Sequence, residues 1–120
     1  MSRISETFAA LRREGRPGLV TYTTAGDPNL ARSADILRAL ARAGADVLEV
    51  GVPFSDPLAD GPVIQRATER ALAAGGSLRA TLDLVASVRG EIAAPIVLFS
   101  YANPMVRMGL PAFAARAAQA

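Results

Sequence analysis

Apolar positions along this chain switch between two periods. Over residues 3–14 they recur at helical spacing (Ile4, Phe8, Leu11), with Ser2 or Ser5 as cap and Gly15 and Pro17 as stop signals. Residues 18–24 change to a β-branched and aromatic run, Leu19-Val20-Thr21-Tyr22-Thr23, which predicts a strand. Gly26-Asp27-Pro28 then predicts a helix start, with Asp27 as N-cap and Pro28 in the first turn. That helix reaches about Ala43, carries Leu30, Ala34, Leu37, Leu40 and Ala41 on its buried stripe, and stops at Gly44. Residues 46–51 form a second strand, apolar on both faces except for Glu49, as in a parallel strand covered by helices. A Pro-rich stretch, 52–62, leads to a helix over 63–74 that ends at Gly75-Gly76. A helix over 77–89 follows, capped by Ser77, with Leu78, Leu82, Val85 and Val88 inward. Pro95 precedes a third strand, 96–101. Asn103-Pro104 opens a loop, and an Ala-rich helix closes the chain over 110–118.

One helix followed by repeated β-α units, with connections too long for hairpins, argues for an α/β fold with parallel strands. The pattern alone does not decide between a closed barrel and an open doubly wound sheet. Neither is complete at three strands, because the outer strands would expose apolar edges. The last helix ends without Gly, Pro or a polar tail, so residues 1–120 are expected to be part of one larger domain.

Composition narrows the chemistry. Cys, His and Trp are absent, and all 13 basic residues are Arg. Within these residues there is no Schiff-base lysine, no Ser-His or Cys-His pair, no zinc site of the usual ligand types and no disulfide; no metal site is expected. Acid-base work falls to the 11 Asp and Glu and to Tyr22 and Tyr101. With 13 Arg scattered among 11 acids there is no nucleic-acid footprint. Neither a signal-peptide pattern nor a long apolar run occurs, so a cytoplasmic location is the expectation.

Glu49 is the first candidate. Val47, Glu49 and Gly51 share one face of their strand. An ionised, unpaired carboxylate at the end of a buried strand costs on the order of several kcal/mol, and proteins keep one there mostly where it is used. The alternative is a structural carboxylate paired with an Arg. Asp56 and Asp60 lie on a loop stiffened by Pro53, Pro57 and Pro62, which can hold a side chain in place. A capping or turn role is the bland reading of both, as it is of Asp27. For Tyr22 and Tyr101, each near a strand's C-terminal end, core or rim packing is the bland reading.

The fifteen residues Leu48-Glu49-Val50-Gly51-Val52-Pro53-Phe54-Ser55-Asp56-Pro57-Leu58-Ala59-Asp60-Gly61-Pro62 resemble the signature of the tryptophan synthase alpha chain family. The resemblance extends to Tyr22, Thr24-Ala25-Gly26-Asp27-Pro28, Ile64-Gln65-Arg66-Ala67 and Tyr101-Ala102-Asn103-Pro104. It implies a partial (β/α)8 TIM barrel: an extra N-terminal helix plus about three β-α units, with strands 4–8 absent. It further implies a lyase of tryptophan biosynthesis that splits indole-3-glycerol phosphate into indole and glyceraldehyde 3-phosphate by a retro-aldol reaction. By resemblance, Glu49 protonates the indole ring carbon and Asp60 accepts from the indole nitrogen. Tyr22, Ile64 and Phe99 match the indole pocket. Asp56, Pro57, Asn103 and Pro104 match the surface that meets a beta chain in an α2β2 complex, where the beta chain carries pyridoxal phosphate and this chain carries no cofactor.

The family usually has Pro where this chain has Thr21, and its phosphate site comes from late barrel loops not found in these residues. The chain alone is therefore expected to be inactive. The alternative is a non-catalytic module that binds and activates the beta chain.

Overall fold

The computed structural model describes residues 1–120 and has the order α1 (Arg3–Glu14), β1 (Val20–Thr24), α2 (Leu30–Arg42), β2 (Val47–Gly51), α3 (Pro62–Ala73), α4 (Leu78–Arg89), β3 (Ile96–Phe99), α5 (Ala102–Met108), α6 (Leu110–Gln119). The three strands form one parallel sheet in the order β1-β2-β3. Tyr22 pairs with Glu49 and Glu49 with Val97, while Thr24 pairs with Gly51 and Gly51 with Phe99. These six residues therefore share one face.

The other face carries the core. Leu48 and Val50 are fully buried and pack with Leu37 of α2 and Leu84 and Val88 of α4. Each such side chain contributes about 1.5–3 kcal/mol by leaving water. Leu98 of β3 packs on the same side with Met105, Met108, Phe113 and Ala117 from α5 and α6. The face shared by Tyr22 and Glu49 is open, with Val20 45% and Phe99 55% exposed. A doubly wound sheet has helices on both faces, whereas a barrel has them only outside. The arrangement here is that of a barrel wall.

Local chemistry explains most element ends. Ser2 and Ser77 cap α1 and α4 by accepting from the Ser5 and Ala80 backbone N–H groups. Gly15 ends α1 at φ 67°, a conformation that costs a glycine nothing. Beneath the sheet, Arg16 grips Asp46 through two hydrogen bonds of 3.1 and 2.8 Å, and Asp46 also accepts from the Leu19 N–H at 2.8 Å. That cluster ties the start of β1 to the start of β2 and holds the Asp46 carboxyl below its ordinary range, chiefly through Arg16.

Two local expectations fail. Asp27 is not the cap of α2; Asn29 is, accepting from the Arg32 N–H at 2.9 Å, and Pro28 precedes the helix. The Asp27 carboxylate turns instead to Arg70 of α3, in a forked pair of 2.8 and 2.9 Å. Asn103-Pro104 does not open a loop; both lie in the first turn of α5, where a proline's missing N–H costs nothing. Strand β3 accordingly stops at Phe99, before Tyr101. No helix is long and apolar enough to cross a membrane.

Candidate functional site

On the open face of the sheet, Tyr22 of β1 meets residues of both other strands. This residue sits in the middle of β1, not at its end. Its phenol lies so close over Gly51 that a Cβ built there would stand 2.0 Å from the Tyr22 Oη. Glycine at 51 is thus what lets the ring lie across the neighbouring strand. Phe99 meets the same ring edge-on, with centroids 5.9 Å apart. Burial pushes the Tyr22 phenol above its ordinary value, and the charges of Asp60 and Glu49 push the same way. The strand register sets Glu49 beside Tyr22, and Asp60 stands on the loop that follows β2.

Glu49 is partly buried beside Tyr22 in the sheet. None of the six ion pairs uses it, which leaves the reading of a carboxylate paired with an Arg without support. Asp60 does not cap α3; Gly61 occupies that position and supplies no side-chain cap. Its Oδ2 accepts from the Tyr101 hydroxyl at 3.2 Å, and the same Tyr101 oxygen accepts from the Ala59 N–H at 2.9 Å. Gln65 of α3 holds the other side of the loop, donating to the carbonyls of Asp60 (2.9 Å) and Pro57 (3.3 Å). Ile64 lies beside Gln65, partly buried in the first turn of α3.

Tyr101 and Gln65 are the residues that local reasoning missed. Tyr101 reads as packing, yet it lies just past β3, packs its ring on Phe54 at 5.4 Å, and reaches back to Asp60. A hydroxyl-bearing aromatic at that end of a strand was the available signal.

A second feature lies beside the first. An open groove of about 1040 Å³ runs between the loop at Pro53–Asp56, the start of α4 and most of α5. Asp56, Asn103 and Pro104 line it together. Pro57 is not among its walls; its carbonyl is bound by Gln65.

A family model described as "Tryptophan synthase alpha chain" matches residues 8–120. The tryptophan synthase alpha chains of Burkholderia mallei (strain NCTC 10229) and Burkholderia thailandensis are 57% and 58% identical to this chain, across all of it and 45% of each relative. A crystal structure of tryptophan synthase subunit alpha from Legionella pneumophila superposes with a TM-score of 0.96 at 42% identity, over 99% of this chain and 46% of that one. Tryptophan synthase from M. tuberculosis, in its aminoacrylate-bound form, gives 0.91 at 40% identity over 98% and 48%. The chain thus spans under half the length of the relatives it matches, and its three strands with their outer helices match the N-terminal part of a TIM barrel.

Proposed function

We propose, for a chain that belongs to the tryptophan synthase alpha chain family, that its Glu49 and Asp60 perform the retro-aldol cleavage of indole-3-glycerol phosphate to indole and glyceraldehyde 3-phosphate. Residues 1–120 are the N-terminal portion of a single (β/α)8 barrel domain, with strands 4–8 and the phosphate-binding loops supplied from outside them. The observation that carries the reading is that Glu49 stands beside Tyr22 in the sheet outside every ion pair, while Tyr101 holds Asp60 on the loop that follows β2.

Carbon–carbon cleavage needs somewhere for the bond's electrons to go. Glu49 gives a proton to the indole ring carbon that bears the glycerol chain, and the ring becomes an electron-poor indolenine. Asp60 faces the ring N–H and stabilises the positive charge there. The Glu49 carboxylate so formed takes the proton from the hydroxyl on the attached carbon. The C–C electrons then return to the ring, releasing indole and the aldehyde. Tyr22, Phe99 and Ile64 flank the indole. The groove edged by Asp56, Asn103 and Pro104 receives the beta chain, and Pro57, next to Asp56 in sequence, meets it outside that groove. Pyridoxal phosphate belongs to that partner; this chain has no Lys to hold it as a Schiff base.

The test is a chimera in which residues 1–120 replace the matched segment of the Burkholderia thailandensis alpha chain. Indole release from indole-3-glycerol phosphate is expected, falling about 10²–10⁴-fold in Glu49→Gln. A Glu49→Gln chimera as fast as its parent would refute the assignment. The size of the groove favours one other reading, a module that activates the beta chain without turnover. Beta-chain activation by a chimera that releases no indole would establish it.

A further inference from the structure

We propose that Tyr101 is a positioning residue that sets the Asp60 carboxylate for the reaction; this rests on the reading of Asp60 given above. Loops over active sites need their side chains aimed as well as tethered, and only one contact here does the aiming. Gln65 binds backbone carbonyls of the loop and leaves the carboxylate alone. The Tyr101 hydroxyl accepts from the Ala59 N–H at 2.9 Å and donates to Asp60 Oδ2 at 3.2 Å, so it fixes the main chain just before Asp60 and the Asp60 carboxylate together.

With Oδ2 held by Tyr101, Oδ1 is left to meet the ring N–H. The phenol is itself held in place. Its ring packs on Phe54, at the start of the same loop, with centroids 5.4 Å apart. Its backbone is the N-cap of α5, just past the end of β3. One side chain thus joins the beginning and end of the loop to a strand of the barrel wall. The consequence is that Asp60 is aimed by a residue 41 positions away in sequence.

The test uses the same chimera. Tyr101→Phe keeps the ring on Phe54 and removes only the hydroxyl. The expected result is a fall in kcat of about 10- to 100-fold, the scale for misplacing a reacting group by about 1 Å, with KM within about threefold of the parent. In an Asp60→Asn background, Tyr101→Phe is expected to cost nothing further, because the group it aims is already gone. Tyr101→Leu, which also loses the ring contact, serves as the structural reference. Three results would overturn the proposal while leaving Asp60 in its role: Tyr101→Phe as fast as the parent with only Leu impaired, effects of Tyr101→Phe and Asp60→Asn that multiply, or a loss confined to KM. Parental activity in Asp60→Asn alone would instead overturn the reading of Asp60 on which the proposal depends.

Discussion

Gly51→Ala places a methyl where the Tyr22 phenol lies. A Cβ at 51 would stand 2.0 Å from Tyr22 Oη, 2.5 Å from its Cζ and 3.0 Å from its Cε2. Atoms this close must separate to beyond 3.0 Å, so the hydroxyl has to retreat by at least about 1 Å. The ring lies between Gly51 and Phe99, so the retreat turns it away from Gly51 and disturbs its edge contact with Phe99. Overpacking of this kind costs about 1–3 kcal/mol. Urea unfolding of the chimera, followed by circular dichroism, should report that loss, and indole release should fall with it.

The collision also predicts an order of rescue. Tyr22→Phe removes the 2.0 Å clash but leaves the ring atoms at 2.5 and 3.0 Å, so it should restore only part of the lost stability. Tyr22→Leu removes the ring and should restore more. A Gly51→Ala protein with parental stability, or a Tyr22→Leu partner that restores nothing, would refute the reasoning.

Three further outcomes follow from other parts of the molecule. Thr21 Oγ1 is buried without a hydrogen-bond partner, so the near-isosteric Thr21→Val should stabilise by about 1 kcal/mol in urea unfolding, and no gain would count against it. Asn29→Ala should cost about 1 kcal/mol by uncapping α2; an unchanged midpoint would show that the cap lies elsewhere. The Asp46 carboxyl is held low in the folded chain by Arg16 and the Leu19 N–H, so its contribution is complete above the ordinary carboxyl value near 4 and is lost as pH falls below it. The urea midpoint should drop on acidification through that range and drop less in Asp46→Asn; parallel profiles would exclude Asp46 as a source.

Local pattern carried the elements whose causes are local. The α1 and α4 boundaries follow from serine caps, and the two faces of β2 from alternation. What was illegible depends on partners far along the chain. Asp27 has the sequence context of a cap, but Arg70 lies 43 positions on and binds it first. Asp60 likewise looks like a cap until Tyr101 folds against it. The α5 helix was hidden because proline suits a loop and a first helical turn equally well, and seven residues are too few to show a period. Glu49 was legible for the opposite reason, since a carboxylate in an otherwise apolar strand needs no partner to stand out.

The one-sided sheet has a consequence for synthesis. Relatives of this length class carry roughly 150 residues beyond the matched segment, which a ribosome adds in about 7–30 s. In a chain extended as those relatives are, the outer core of Leu48, Val50 and their helices can be packed during that interval, while the inner face stays wet. That face mixes Val20, Val97 and Phe99 with Thr24, Tyr22 and Glu49. A charge in the central strand discourages two nascent chains from pairing their unfinished walls. The carboxylate proposed for catalysis thus has a second use, keeping two unfinished walls apart.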